Sequence, residues 1–259
     1  MGSNKTLGWR PGAWLICAAL AACGGAGGSA PPPAPETPKD PPTVRSTAQG
    51  KVEGIDDSAG SGTYAWKGLP FAQPPVGQLR WRAPVEPESW RETRPAKAFG
   101  NPCLQNGRIY GPGANNRYDA TIASTLNTPV GSEDCLSLNI WRPASGDQKL
   151  PVLLFIHGGS NISGYTADPV YDGARLAKAA NAVVVTANYR LGVLGFLNLP
   201  QLRNGDAAGG DSGNFALLDN LAALKYIQKN IASFGGDAGN VTLMGQSGGA
   251  NNVLALVAS

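Results

Sequence analysis

Residues 241–257 of this 259-residue chain read VTLMGQSGGANNVLALV, and this stretch decides the predicted fold. A strand-like apolar run leads into the motif GQSGG at 245–249, and a helix-like run follows it. So sharp a strand-to-helix turn strains its central residue, and glycines two positions before and after keep Cβ atoms away from it. The Ser247 hydroxyl would then project at a helix N-terminus, where free N–H groups favour a developing oxyanion. The pattern predicts Ser247 as a nucleophile and the N–H of Gly248 as an oxyanion donor.

Two other interpretations of GQSGG compete with the nucleophile. The five-residue pattern is weak by itself in a chain with 35 glycines. A dinucleotide-binding turn needs glycine where Ser247 stands, so that interpretation is poor. A tight turn in a noncatalytic fold remains open.

Three apolar runs predict strands: the run at 241–244 that precedes GQSGG, and two upstream runs at 152–156 and 183–185. Because these runs do not alternate with polar residues, we expect strands that are covered on both faces. Helical patterns at 172–180 and 214–231 lie between them. In the longer helix the predicted core-facing stripe consists of Leu217, Leu218, Leu221, Leu224, Ile227 and Ile231. This order predicts an α/β fold with a mostly parallel, doubly wound sheet.

The second chemical signal is FIHGGS at 155–160, which directly follows a predicted strand. Successive glycines let backbone N–H groups converge on one point, as an oxyanion hole requires. In parallel sheets ligands bind beyond the carboxyl ends of the strands, where both this segment and GQSGG fall. His157 is the only histidine in the chain. We expect it to be structural, because this fold orders its triad as serine, acid and then histidine.

The first residues predict an export signal rather than part of the fold. Lys5 and Arg10 precede the apolar run AWLICAALAA at 13–22, which is too short to span a bilayer as a helix. The sequence LAAC at 20–23 is similar to a bacterial lipobox, so we expect a lipoprotein signal peptide at 1–22 and lipidation of Cys23. The alternative is a plain secretory signal with an incidental cysteine. Either way we expect an exported protein, membrane-anchored at the outer membrane or cell surface, or periplasmic or secreted.

Residues 24–42 contain eleven Gly and Pro in nineteen positions and cannot bury enough apolar surface to order themselves. We therefore predict a disordered tether at 23–48 and the folded domain at 49–259. The positive charges exceed the negative ones by 21 − 18 = 3, which gives no field for nucleic acid. We expect no cofactor, and no metal site because the chain lacks CxxC spacing and a second histidine.

Cys103 and Cys135 remain as a pair once the signal peptide is removed and Cys23 is acylated. In an oxidising compartment this favours a disulfide, with two reduced buried thiols as the alternative.

Several segments together resemble the type-B carboxylesterase family, the cholinesterase-like branch of the α/β-hydrolases. The segments are KGLPFAQPPVGQLRW at 67–81, SEDCLSLNIW at 132–141, HGGSNISG at 157–164, NYRLGVLGFL at 188–197, and the run from GNFALLDN at 213 to GQSGGA at 250. The resemblance implies an α/β-hydrolase fold with Ser247 as nucleophile and Gly159, Ser160 and Gly248 as oxyanion donors. It also implies a Cys103–Cys135 disulfide and two ion pairs, Arg80 with Glu133 and Arg190 with Asp219.

The chain departs from the family pattern at three places. The family usually has a third glycine where Ser160 stands, and a glutamate where Gln246 stands. The choline-binding tryptophan of the loop between the first two cysteines is missing, since this loop has only Tyr110 and Tyr118 as aromatic residues. A site for a quaternary ammonium group therefore lacks its usual residue, and we expect a neutral, small-molecule ester as substrate.

Family members are much longer than this chain, and their triad acid and histidine follow the nucleophile. We therefore expect this sequence to be the N-terminal portion of the domain, truncated before the rest of the triad and inactive alone. For the whole protein we expect a serine carboxylic-ester hydrolase that forms an acyl-serine intermediate. The alternative is a noncatalytic cholinesterase-like protein that serves in binding or adhesion.

Overall fold

The computed structural model describes residues 40–203, 205 and 212–258. The predicted signal peptide at 1–22, the lipidation site Cys23 and tether residues 23–39 lie outside the described residues. Within the described part of the chain, no helix combines the length and the apolar character that crossing a bilayer requires.

Strands and helices alternate through the second half of the described chain. The strands are β1 Val44–Ser46, β2 Lys51–Glu53, β3 Ile55–Asp57, β4 Thr63–Pro70, β5 Arg94–Pro95, β6 Gln105–Asn106, β7 Pro129–Val130, β8 Ser137–Pro143, β9 Leu150–Ile156, β10 Val183–Ala187 and β11 Gly236–Gly245. The α-helices are α1 Ala174–Ala180, α2 Gly192–Phe196, α3 Phe215–Asn230 and α4 Gly248–Val257. Single 3₁₀ turns lie at Gly77–Leu79, Ile122–Thr125, Pro169–Tyr171, Pro200–Leu202 and Ile231–Phe234.

The central sheet has the strand order β11-β9-β10-β8-β4-β3. β11, β9 and β10 run parallel, whereas β8, β4 and β3 pair with their neighbours in antiparallel fashion. The predicted α/β class is confirmed, but the described sheet is mixed and its parallel part is limited to three strands. One reason is that a turn at 58–62 joins β3 to β4, which is too short for the crossover that parallel neighbours need.

The three parallel strands end at the same level. Ala187 of β10 and Gly245 of β11 both pair with Ile156, the last residue of β9. The segments that follow β9 and β11 therefore start side by side at one edge of the sheet. Upstream, β11 contains a bulge, because from Gly236 to Val241 it advances five residues while β9 advances only two, from Leu150 to Val152.

The parallel strands differ in how well they are covered. All five residues of β10 are buried, and β9 alternates between buried and half-buried positions. β11 lies at the outer edge of the sheet, and its Thr242 and Met244 are exposed. The prediction that all three apolar runs would be covered on both faces is therefore wrong for β11. Its composition is that of a central strand, but its second face has no neighbour among the described residues.

The two faces of the sheet pack into separate cores. The larger core, on the α3 side, includes Leu138, Leu154, Val185 and Ile227. The smaller core, on the α1 side, consists of Ala65, Trp141, Ala177 and Val184. Helices thus cover both faces, as a doubly wound arrangement requires.

The predicted core-facing stripe of α3 is confirmed only in part. Ile227 and Ile231 are buried as predicted, but the rest of the buried face differs from the predicted leucine positions. Its buried residues are Phe215, Ala216, Asp219, Asn220, Ala223, Tyr226, Ile227 and Asn230. Leu221 from the predicted stripe is 38% exposed. Polar residues can occupy the buried face because they have partners: Asp219 binds Arg190, and Asn230 Oδ1 accepts the N–H of Ala48 at 2.8 Å. Apolar periodicity alone could not reveal these partners.

The ordered domain begins earlier than the predicted boundary at residue 49. β1 pairs with β2 in antiparallel fashion, with Val44 opposite Glu53. The indole N–H of Trp66, a fully buried residue, donates to the Thr43 carbonyl at 2.7 Å. The predicted tether is therefore too long at its C-terminal end, because residues from Thr43 onward supply backbone partners to the core.

Covalent and ionic links secure the loops around the sheet. Cys103 and Cys135 form a disulfide with an S–S distance of 2.02 Å, and both are buried. We refer to residues 103–135 as the disulfide loop. Both ion pairs implied by the family resemblance are present, at 2.6 Å for Arg80 with Glu133 and 2.7 Å for Arg190 with Asp219.

Candidate active site

The Ser247 turn joins β11 to α4 with a strained backbone. Ser247 has φ 53° and ψ −121°, a left-handed φ that is costly for a residue with a Cβ. A Cβ at Gly245 would lie 2.5 Å from the Gly249 carbonyl carbon, and a Cβ at Gly249 would collide with the Ile156 carbonyl oxygen. The two glycines therefore make room for the turn, which is the reason given for them from the sequence.

α4 begins directly after the serine. The N–H groups of Ala250 and Asn251 donate to the Ser247 carbonyl at 2.9 and 3.2 Å, so the first helical turn forms around this residue. The N–H of Gly248 has no acceptor among the described residues. It points from the positive end of the helix dipole, where a negative charge is stabilised.

Residues 157–164, which we call the oxyanion loop, follow β9. The N–H groups of Ile162 and Ser163 both donate to the Gly159 carbonyl, at 3.0 and 3.1 Å, and close a tight turn. Gly159 has φ 110°, and a Cβ there would collide with the Ser163 carbonyl oxygen. Ser160 has φ 55°, which explains why the family usually has glycine at this position. The N–H groups of Gly159 and Ser160 have no acceptor in the described part of the chain.

The oxyanion loop lies against the start of α4. A Cβ built on Gly248 would be 3.1 Å from Ser160 Cα and 3.2 Å from Ser160 N. The unpaired N–H groups of Ser160 and Gly248 are therefore close together, beside the nucleophile predicted from the sequence. The structure brings all four sequence-predicted site residues, Ser247, Gly159, Ser160 and Gly248, to one place.

His157 is buried beneath the oxyanion loop. Its Nδ1 is 2.8 Å from the Gly158 carbonyl, so we assign the proton to Nδ1, and its Nε2 has no partner among the described residues. The ring stacks on Tyr189 with centroids 4.5 Å apart. Burial lowers the pKa of His157 to about 4, although the bond to Gly158 opposes this shift. A neutral, enclosed imidazole agrees with the structural role expected from the sequence.

Gln246 links the nucleophile turn to the oxyanion loop and to a residue that the sequence did not reveal. Its Oε1 accepts a hydrogen bond from the Tyr171 hydroxyl at 3.0 Å. A Cβ on Gly158 would collide with the same Oε1, so the amide packs directly on the loop backbone. An uncharged amide therefore occupies the position where the family usually has a carboxylate.

The disulfide loop is fastened to the oxyanion loop by Gln105. Gln105 Nε2 donates to the Gly164 carbonyl at 2.9 Å, and Gln105 Oε1 accepts the Gly164 N–H at 2.8 Å. Between the two loops lies an open cavity of about 730 Å³. Its lining includes Arg108, Tyr110, Gly159, Asp168, Tyr171 and Gln246. Gly159 thus belongs to the wall of a cavity large enough for a small organic molecule.

Within the described residues, no three His, Cys, Asp or Glu side chains are grouped as a metal site would require. The polar groups around Ser247 are backbone N–H groups, an amide and hydroxyls. This set suits stabilisation of an anionic oxygen.

Comparison with known proteins identifies the family. The model of the carboxylesterase family matches residues 41–259. This chain belongs to the carboxylesterase family. Its α/β-hydrolase fold is shown by the solved structure of a PNB esterase, which matches with a TM-score of 0.72 and 40% sequence identity over 84% of this chain and 41% of that one.

Two curated relatives show the same extent of similarity. The para-nitrobenzyl esterase of Bacillus subtilis is 41% identical over 83% of this chain and 40% of its own length. The Fumonisin B1 esterase of Sphingopyxis macrogoltabida is 44% identical over 85% of this chain and 37% of its own length. This carboxylesterase-family chain therefore spans about 40% of the length of these relatives.

Proposed function

We propose that a protein containing this sequence hydrolyses small-molecule carboxylic esters through an acyl-serine intermediate on Ser247. The observation that carries the proposal is the strained Ser247 turn at the start of α4, beside the unpaired N–H groups of Gly159, Ser160 and Gly248. The names of two relatives, para-nitrobenzyl esterase and Fumonisin B1 esterase, support ester chemistry.

In the proposed reaction Ser247 Oγ attacks the ester carbonyl carbon and its proton passes to a base. The carbonyl oxygen becomes negatively charged, and the three N–H groups donate to it without having to reorganise. The bond to the alcohol oxygen then breaks, the alcohol takes up a proton and the acyl group stays on Ser247. Water hydrolyses this ester and releases the acid.

His157 is not the base in this proposal. Its Nδ1 faces the Gly158 carbonyl, its ring is enclosed, and its lowered pKa makes it a weak proton acceptor. No described residue hydrogen-bonds to Ser247 Oγ. We therefore expect the 259-residue chain alone to turn esters over slowly or not at all.

A neutral ester is the proposed substrate. The cavity beside the oxyanion loop is lined by one cation and one anion, Arg108 and Asp168, and by Tyr110 rather than a tryptophan. This lining supplies apolar surface and hydrogen-bonding groups, and its described aromatic residues are tyrosines rather than the tryptophan that binds cations best.

The proposal is tested by acylation of Ser247 with p-nitrophenyl acetate, a reactive ester. Since no described residue takes the Ser247 proton, buffer base must accept it at mildly alkaline pH, while the p-nitrophenolate leaves without needing a proton. The three N–H donors should still favour attack by Ser247 over other serines. Deacylation is slow for the same reason as acylation, so acetyl-Ser247 should accumulate and be found by peptide mass spectrometry. Ser247→Ala should remove this label and leave acetylation of surface lysines unchanged. Ser124, an exposed serine outside the site, serves as a reference that should stay unmodified in both proteins. Acetylation of Ser247 at no more than the level of Ser124 would show that the N–H donors give Ser247 no advantage, which would contradict the proposal and favour a noncatalytic role.

A further inference from the structure

We propose that Asn161 and Asn252 form an amide pair that positions the oxyanion loop against the helix that carries the nucleophile. The inference rests on the proposed ester chemistry, in which the oxyanion donors come from two separate elements. It makes both asparagines positioning residues, because neither touches the reacting atoms.

The two side chains bind each other in both directions. Asn161 Nδ2 donates to Asn252 Oδ1 at 3.2 Å, and Asn252 Nδ2 donates to Asn161 Oδ1 at 3.0 Å. Asn161 belongs to the oxyanion loop, next to the donor Ser160. Asn252 lies in α4, four residues after Gly248. The pair therefore bridges the two elements that supply the N–H groups.

Asn161 has further partners that hold it in place. The Tyr189 hydroxyl donates to Asn161 Oδ1 at 3.1 Å, and the Gly192 N–H donates to the Asn161 carbonyl at 2.7 Å. The same hydroxyl is 2.9 Å from the His157 carbonyl, so its one hydrogen is shared between these two acceptors. The amide thus lies in a network that extends from α4 to the segment following β10.

The loop needs such support because its backbone is strained. Ser160 and Asn161 are successive residues with left-handed φ values of 55° and 59°. This conformation is unfavourable for residues other than glycine, although asparagine tolerates it better than most. Without its side-chain bonds the segment would gain by relaxing to another conformation, and the Ser160 N–H would then turn away from Gly248.

Burial favours the arrangement in which Asn252 binds Asn161. Asn252 is only 3% exposed, so water cannot replace Asn161 as its partner. A buried amide that loses its partner keeps its full desolvation penalty. The neighbouring Asn251 is exposed and has no side-chain bond among the described residues, which provides a matched control on the same helix.

Hydrogen exchange of the complete 259-residue chain tests the pair without requiring turnover. Asn252→Leu removes both amide bonds at similar volume, and Asn161→Gly removes them while relieving the left-handed backbone. Each change should accelerate exchange of peptides within 158–164 by about tenfold, the loss expected when two hydrogen bonds no longer oppose local opening. The double variant should exchange no faster than the faster single variant. Asn251→Leu should leave exchange unchanged, and α3 should keep its protection in every variant.

Two outcomes would overturn the proposal: unchanged exchange in both single variants, or equal acceleration of 158–164 and α3. A larger acceleration in Asn252→Leu than in Asn161→Gly agrees with the proposal, because glycine also relieves the strain that the pair opposes.

The rate of Ser247 acetylation separates positioning from stability. In both variants the maximal rate should fall by a similar factor while the half-saturating ester concentration stays constant, since substrate binding does not use the pair. If the unaltered chain is acetylated at Ser247 no more than at Ser124, the proposed ester chemistry fails, and the exchange data still decide whether the pair holds the loop.

Discussion

β10 and β11 flank β9 on opposite sides and run parallel to it, yet they are covered very differently. All five residues of β10 are buried, whereas Thr242 and Met244 of β11 are exposed. β10 leads to Tyr189 and Arg190, which support the oxyanion loop and α3, and β11 leads to Ser247. Buried packing is therefore concentrated beside β10, while the proposed nucleophile follows β11. If this is correct, changes on the β10 side should affect stability far more than changes on β11.

The largest effect is expected from Asp219→Asn, on the β10 side. Arg190 and Asp219 are 3% and 0% exposed, and Arg190 also donates to the Arg82 carbonyl at 2.9 Å. Loss of the carboxylate leaves a buried, uncompensated guanidinium, and breaking such a pair costs about 3 to 5 kcal/mol in the free energy of unfolding. Urea denaturation followed by tryptophan fluorescence measures this loss.

Glu133→Gln is the matched control, because Glu133 pairs with Arg80 at a partly exposed position. Solvent screens this pair, so its loss should be much smaller. Equal decreases in the free energy of unfolding for Asp219→Asn and Glu133→Gln would show that the buried ion pair is no more important than the partly exposed one.

The second largest effect concerns His157, which directly follows β9, the strand between β10 and β11. Its pKa is about 4 in the folded chain against 6.5 when unperturbed, so the folded state holds the ring neutral. The stability that depends on this neutral ring is fully present above pH 6.5 and is lost as the pH falls toward 4. A shift of this size corresponds to about 3 kcal/mol over the whole window.

The difference between the unaltered chain and His157→Asn isolates this contribution, because His157 is the only histidine in the sequence. Asparagine keeps a donor for the Gly158 carbonyl but does not titrate. The free energies of unfolding of the two chains, measured by denaturation between pH 8 and pH 4, should converge as the pH falls. A constant difference between them would show that His157 titrates alike in the folded and unfolded chains.

The smallest effects are expected from side-chain truncations to alanine, one in β10 and one in β11, compared by the free energy of unfolding. Val185→Ala in β10 removes two methyl groups from a fully buried side chain and should cost about 2 kcal/mol. Thr242→Ala in β11 removes an exposed side chain and should stay within about 0.5 kcal/mol. A large loss from Thr242→Ala would indicate that the outer face of β11 is covered in solution.

The local part of the site could be predicted from the sequence. The glycines of GQSGG and HGG indicate backbone conformations that few other residues adopt, and the structure has tight turns at both segments. The roles assigned to Ser247, Gly159 and Gly248 stay predictions. Ser160 has the left-handed φ that explains the usual glycine there.

The long-range part could not be predicted in this way. Asn161 and Asn252 are 91 residues apart, and Gln105 and Gly164 are 59 apart, so neither contact leaves a periodic signal. The stripe predicted for α3 contains the buried Ile227 and Ile231 but lacks the buried polar residues, for a related reason. Apolar periodicity considers only the apolar residues of α3. Asp219 and Asn230 are buried because they bind Arg190 and the Ala48 N–H, which are distant in the sequence.

The bulge in β11 bears on how the chain tolerates changes in length. The five-against-two step between Gly236 and Val241 lies upstream of the paired run that ends at Gly245 and Ile156. Because side chains alternate along a strand, a one-residue slip in the register of that run would move each following side chain to the other face of the sheet. Gln246 and Ser247 would then both point in the wrong direction. A residue inserted in the bulge, by contrast, would enlarge a loop that is already out of register. Residues could therefore be inserted at 237–240, between α3 and the regular part of β11, without changing the orientation of Ser247, the proposed nucleophile.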